Sequence, residues 1–194
     1  GVSFRNALFV APGSKLARSG QSEKHGPLFQ DGSPMSDVRP FPGLRPRKDL
    51  AKKVASPPYD VLSSAEAREM AATNPYSFLH VVKAEIDLDP GTDLYRAVAY
   101  EKSVANFREM IDGGVLVRDP GPCFYVYRLT MGDHVQHGLV VGASVQEYED
   151  GLIKKHELTR RAKEDDRARH VEMLRANAGP VLFTCKAHAG LRDA

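Results

Sequence analysis

Apolar side chains that recur at steps of three and four residues in the middle of the chain place the strongest constraint on its fold. They are Ala97, Tyr100, Val104, Phe107 and Ile111. This spacing puts them on one face of a long amphipathic α-helix, which begins near Asp93 and ends at the glycine pair 113–114. Because such a helix is stable only when its apolar face is covered, other segments must pack against it.

A second amphipathic helix is predicted towards the C-terminal end. It covers Ala162 to Ala176 and ends at the Asn-Ala-Gly-Pro run 177–180. Its inward side chains are expected to be Ala168, Val171 and Leu174. The two helices together would supply most of the helical surface available to a core.

Strand-forming segments alternate with these helices. They are 54–55, 76–86, 123–130, 137–145, 152–158 and 180–185. The polar stretch with Gly132–Asp133 predicts a β-hairpin, and the Ser-Ser-Ala-Glu run 63–66 predicts a capped helix reaching about Thr73. The sequence therefore predicts an α+β protein with a mixed sheet and two main amphipathic helices.

The two ends of the chain differ in texture from this region. Residues 1–37 are rich in Gly, Ser and Pro and hold few apolar side chains, so we expect a disordered N-terminal tail. Two other interpretations stay open: an organelle transit peptide, suggested by basic residues before Glu23, or a natural start at Met35. We expect one α+β region over 38–186 and a C-terminal tail over 187–194.

Charge and cysteine usage limit the partners of the chain. Its 194 residues carry a formal net charge of +2 and have a pI near 8.5. Because the pI of nucleic-acid-binding domains typically exceeds about 9, nucleic acid is not an expected partner. No apolar run approaches the roughly 18 residues that span a bilayer, so no membrane segment is expected. Cys123 and Cys185 lie in apolar runs without metal-binding neighbours, which indicates buried, reduced thiols and a cytoplasmic protein.

The charged segment 153–160, Ile-Lys-Lys-His-Glu-Leu-Thr-Arg, is predicted to join a strand to the second helix. Free N–H groups and the helix dipole favour phosphate or carboxylate at such a junction. Arg160 could hold the anion, Thr159 could bond an oxygen, and His156 or Glu157 could take a proton. Alternatively, Thr159 is a plain N-cap followed by solvated charge pairs.

Two neighbouring patterns narrow this chemistry. A zinc protease needs a second histidine four residues after the first, and Arg160 occupies that place after His156, so no zinc site is expected. The Ser-Pro-Pro-Tyr-Asp run 56–60 is either a binding loop that displays Tyr59 and Asp60 or a stiff connection whose tyrosine packs in the core.

A series of short motifs resembles one bacterial family. In chain order they are RPFPGLRP, VASPPYDVLS, NPYSFLHV, IDGGVLVRD, FYVYRLTM, KKHELTR and DDRARHVEMLRANAGPV. Together they resemble domain-of-unknown-function family 1015, over Val38 to about Thr184. The resemblance implies a relation to the ParB and sulfiredoxin-like superfamily, in which a charged turn at a helix start holds the phosphates of a nucleotide.

The resemblance further implies nucleotide-dependent phosphoryl transfer on serine or phosphoserine, since free-serine kinases share that superfamily. It assigns proton handling to His156 and Glu157, phosphate contact to Arg160 and Thr159, and a supporting contact to Asp60. ATP or ADP with Mg²⁺ would be the cofactor, with the ion held largely by phosphates and water.

One departure from the family pattern changes this expectation. The phosphate-binding turn of the family, Gly-His-His-Arg, does not occur in this sequence. We therefore expect the chain to correspond to an N-terminal half that is inactive by itself. Two alternatives remain, a ParB-like nucleotide-gated binding module and a non-catalytic truncated fragment. Self-association through an exposed apolar face is also expected.

Overall fold

The structure is a computed structural model that describes residues 11–12, 36–93, 96–155 and 158–184. Within these ranges the α-helices are α1 (Ala51–Val54), α2 (Ser64–Ala71), α3 (Leu79–Val82), α4 (Ala97–Asp112), α5 (Val145–Glu149) and α6 (Arg161–Leu174). Two 3-10 helices lie at Tyr59–Val61 and Ala84–Asp87. The strands are β1 (Ala11–Pro12), β2 (Val38–Arg39), β3 (Leu44–Pro46), β4 (Leu116–Arg118), β5 (Tyr125–Met131), β6 (His134–Val140), β7 (Gly142–Ala143) and β8 (Ala176–Asn177).

Helix α4 forms at the predicted place and lies at the centre of the main core, but its buried face is shifted from the predicted one. Tyr100 and Phe107 are buried as expected, whereas Val104 and Ile111 are half-buried and Ala97 is exposed.

Phe107 and Met110 on this helix are buried, and the Phe107 ring meets that of Phe78 edge-on with centroids 6.5 Å apart. Leu116 of β4 and Leu174 of α6 complete the same cluster. Full burial of one such large side chain stabilises the fold by about 1.5–3 kcal/mol, so this cluster is the main source of stability.

The strands pair as four separate two-stranded antiparallel sheets: β1 with β8, β2 with β7, β3 with β4, and β5 with β6. The longest pairing is the hairpin β5–β6, whose register joins Tyr125 to Val140 and Met131 to His134. Its turn contains Gly132, whose φ of 58° lies in the left-handed region that favours glycine. The α+β class and the hairpin are thus confirmed, but these sheets replace the expected single mixed sheet.

Two of the predicted strands are wrong because the segments form short helices. Residues 76–86 contain α3 and the 3-10 helix Ala84–Asp87, and Val54 ends α1. The Phe78 N–H donates to the Val54 carbonyl at 3.0 Å, and this one backbone hydrogen bond does not make a β ladder between the two segments. Helical turns here bury Leu79 and Val81 completely, and this packing overrides the β-propensity of the segment.

Two further strand predictions also fail within the described residues. Residues 152–155 and Leu158 form no strand, and neither do 180–184, where Val181, Leu182 and Phe183 are exposed. Without a neighbouring strand to complete a ladder, strand-forming residues cannot form a sheet. Cys123, predicted to be buried, is exposed, while Cys185 lies outside the described residues.

Helix α6 has the predicted position but a different inner face. Its buried side chains are Asp166, His170 and Leu174, whereas Ala168 is exposed and Val171 is half-buried. The helix ends at Leu174, because Arg175 turns into the left-handed conformation and Ala176–Asn177 pairs as β8. No helix in the described part of the chain combines the length and apolar character needed to span a bilayer.

Candidate functional site

The predicted anion site lies at the start of α6. Arg160 is the N-cap residue, with extended backbone angles, and its side chain makes no capping hydrogen bond. Thr159 therefore precedes the cap; its Oγ1 donates to Glu164 Oε2 at 3.1 Å, and both residues are exposed. A helix start without a side-chain cap leaves backbone N–H donors for another acceptor.

The chain approaches this helix through an irregular segment, so the expected strand-to-helix junction is wrong for the residues described there. Leu158 is 98% exposed, and residues 152–155 are turn and coil. His156 and Glu157, the residues expected to handle protons, lie outside the described residues.

Asp60 follows Tyr59 in the chain, and the Tyr59 ring contacts α6. The proline pair 57–58 leads into the 3-10 helix Tyr59–Val61, where Asp60 is exposed and the Tyr59 ring is half-buried. The Arg167 guanidinium stacks on that ring, 4.2 Å from its centroid. Arg167 follows Arg160 by seven residues, so at 1.5 Å per residue this contact lies roughly 10 Å along the axis from the helix start.

A row of cations connects these two positions. Arg160, Lys163 and Arg167 are spaced by three and four residues, and such residues are neighbours on a helix surface. Arg167 also donates to Asp166 Oδ2 at 2.7 Å, so it is partly neutralised. Arg160 and Lys163 are exposed. This face of α6 offers two cations that can bind an anion from solvent.

A buried polar cluster, which the sequence motifs do not predict, lies between the inner face of α6 and α4. The Tyr100 hydroxyl donates to Asp166 Oδ1 at 2.6 Å. Burial favours the neutral acid, but the hydrogen bonds from Tyr100 and Arg167 outweigh it and hold the pKa of Asp166 below its usual value. Burial, followed by the bond to this carboxylate, raises the pKa of Tyr100 to about 12. At physiological pH, Tyr100 is therefore neutral and Asp166 is ionised.

A serine and a histidine meet deeper in the same interface. Ser103 Oγ donates to the Val81 carbonyl at 2.6 Å and lies 3.1 Å from His170 Nε2. Since the Val81 oxygen, 3.3 Å from Nε2, can only accept, Nε2 carries the proton and donates to both oxygens. Burial, and then the charge of Arg167, lowers the pKa of His170 to about 4.

This Ser–His contact is structural. Ser103 is 2% exposed and His170 5% exposed, and the serine proton already bonds a backbone carbonyl. A nucleophile needs a base that accepts its proton and a path to substrate, and neither exists here. The spacing of Asp166, His170 and Leu174 at steps of four was the available signal for this inner face, but polar side chains are not usually counted as core.

Comparison with known proteins gives one family. Residues 38–194 match the sequence model of a protein family that is described as a protein of unknown function (DUF1015). No curated protein matches the chain, and no solved structure does. Because the family model covers most of the sequence, the chain belongs to the DUF1015 family.

Proposed function

We propose that this chain supplies part of the nucleotide-phosphate site of a phosphotransferase that acts on serine or phosphoserine. The start of α6 supports this proposal, since Arg160 is an exposed N-cap residue whose side chain makes no capping hydrogen bond. Phosphate is stabilised at such an end by free N–H groups and by the helix dipole. Lys163 adds a second exposed cation one turn further along.

The proposed roles follow from the chemistry of each side chain. Arg160 would hold phosphate oxygens with two parallel N–H bonds, and Thr159 would exchange its bond to Glu164 for one to the ligand. Asp60 would be a supporting carboxylate, brought near α6 by the stacking of Tyr59 on Arg167. His156 and Glu157 would handle the proton of the serine hydroxyl.

Magnesium fits this set of donors. Mg²⁺ prefers oxygen ligands and is usually held by substrate phosphates, water and one or two carboxylates. Asp60 is an exposed carboxylate of the required kind, and Glu157 would be a second. When bound, the ion would neutralise phosphate charge, while the residues of the chain bind and orient the nucleotide.

The start of α6 would bind phosphate in this chain. The transfer step would take place in members of the family that also carry the Gly-His-His-Arg turn, which this sequence lacks. Preorganised charges around the transferred group supply most of phosphoryl-transfer catalysis. We also propose that the chain is related to the ParB and sulfiredoxin-like proteins, in which a charged turn at a helix start holds the phosphates of a nucleotide. A longer member supplied with serine, ATP and Mg²⁺ should form phosphoserine.

Calorimetric titration of the 194-residue chain with ADP and Mg²⁺ tests the binding step. Arg160→Gln should weaken binding at least about tenfold, as the loss of one charge-assisted contact usually does. Arg128→Gln, which removes an exposed arginine from the hairpin, is the matched control and should leave binding unchanged. Equal affinities of the Arg160 variant and the parent would refute the assignment.

A second titration, with duplex DNA, separates the alternatives. A ParB-like nucleotide-gated module would bind duplex DNA as well as nucleotide, with a DNA affinity that falls steeply as salt rises, whereas the proposed site binds nucleotide and no DNA. A non-catalytic fragment would bind neither ligand. In a longer relative, replacement of the residues that match Glu157 and Arg160 should lower turnover by about 10² or more.

A further inference from the structure

A groove lies at the opposite end of α6 from Arg160. It runs between α4 and the end of α6 and encloses about 290 Å³. Val104, Ile111 and Met173, which are half-buried or exposed, contribute apolar surface to its walls. Since α6 has 14 residues, its two ends are roughly 20 Å apart, and the groove is a separate place on the molecule.

Three arginines, Arg108, Arg118 and Arg175, line this apolar groove. All three are exposed, and in the described residues none of them takes part in an ion pair. Arg118 donates one hydrogen bond to the Pro42 carbonyl at 3.2 Å. Among the residues that the structure describes, no carboxylate belongs to the lining, so these walls carry positive charge without a counter-ion of their own.

Arg175, which lines the groove, has an unfavourable backbone conformation. Its φ of 55° makes it the one non-glycine residue with positive φ in the described ranges. Helices commonly end with glycine in this left-handed conformation, because any other side chain is strained there. Strained residues are enriched at functional sites, where the position of the side chain matters more than the local stability.

We propose that the groove binds a small amphipathic anion, an apolar chain or ring that carries one carboxylate or phosphate. The apolar body would cover Val104, Ile111 and Met173, and the acid would bind the guanidinium groups of Arg108, Arg118 and Arg175. The volume is close to the lower end of small-molecule sites, about 300 Å³, which suits a short acyl chain better than a protein segment. Charge-assisted bonds from arginine supply the preference for an acid.

Calorimetric titration of the 194-residue chain with octanoate, octanol and acetate tests both halves of this recognition. Octanoate should bind at least about tenfold more tightly than octanol, which lacks the charge, and than acetate, which lacks the apolar body. Its affinity should fall as salt is raised, because the arginines are exposed and are screened. Similar binding of octanol and octanoate would overturn the proposal.

Arg175→Gly gives the most specific test. Glycine accepts the left-handed conformation without strain, so the variant should unfold at a higher temperature while its affinity for octanoate falls at least about tenfold. A variant that keeps the parent affinity would contradict the assignment, as would Arg108→Gln with unchanged affinity. Arg128→Gln, on the hairpin, should bind octanoate as the parent does.

Discussion

At the scale of single residues, the inner face of α6 shows how ionisable groups are used as packing. Asp166 and His170 are both buried and lie one helical turn apart, and each is bonded to α4, through Tyr100 and Ser103 respectively. Buried polar groups are tolerated when their bonds are satisfied, and these bonds fix how the two helices face each other. The arrangement makes stability depend on pH.

Acidification should destabilise the fold through His170. An unfolded histidine has a pKa of about 6.5, whereas that of His170 lies at about 4, so the unfolded chain binds the proton more tightly. The stabilising effect of the neutral ring is complete above pH 6.5 and is lost progressively down to pH 4. The free energy of unfolding should fall by about 3 kcal/mol across this window, measured by urea denaturation at each pH.

His170→Gln should remove most of this slope, since glutamine does not titrate, although the variant starts from a lower stability. His137→Gln is the matched control, because His137 lies exposed on the hairpin. That control should retain the parent slope between pH 6.5 and 4. A slope of the same size in His170→Gln would show that another group is responsible.

At the scale of elements, local signals succeed where the chain caps its own structure. Ser63 Oγ accepts from the Glu66 N–H at 3.2 Å, and Glu66 Oε2 accepts from the Ser63 N–H at 2.8 Å, which forms the predicted capping box of α2. Helix α3 lacks such a cap and forms because Leu79 and Val81 are buried. Helix α2 could therefore be predicted from the four residues 63–66, whereas α3 could not be predicted from its own sequence.

Ser63→Ala should destabilise the fold by about 1 kcal/mol, the usual cost of losing an N-cap side chain. The reason is that the Glu66 N–H loses its acceptor and the reciprocal bond loses its geometry. Thermal denaturation measures the loss. Thr73→Ala, just beyond the same helix and exposed, should change stability by much less, and equal losses in the two variants would argue against the cap.

At the scale of the whole molecule, most of the hairpin β5–β6 extends away from the core, since β6 is exposed along nearly its whole length. In the described residues its strands pair only with each other. Val126 and Leu139 are cross-strand partners on one face and are 71% and 60% exposed. An isolated two-stranded hairpin is marginally stable in water, and an exposed apolar face of this kind favours association.

We therefore expect the chain to self-associate as its concentration rises, with Leu139→Lys shifting the equilibrium towards the monomer. The reason is that a charge on the exposed face must be desolvated on contact. Sedimentation velocity measures the effect. Met70→Lys, at an exposed apolar position of α2, is the control and should leave association unchanged. A parent chain that stays monomeric at all concentrations would contradict this expectation.

The candidate site was predicted only in outline. The sequence predicts a helix start near residue 160 with cations around it, and the structure has one, with Arg160 at the cap. The proximity of Tyr59 to Arg167 could not be predicted, since 108 residues of sequence separate them and no pattern within either segment refers to the other. The roles of His156, Glu157, Arg160, Thr159 and Asp60 stay predictions.

The sequence alone determined the features that arise from local energetics. These are the place of α4 in the chain, the capping box of α2, the hairpin turn at Gly132 and the position of α6. Each depends on side chains a few residues apart. Tertiary structure decided which apolar segments became strands and which polar side chains were buried. The segment 76–86 forms short helices that pack against α4, and Asp166 and His170 stay inside because Tyr100 and Ser103 bond them.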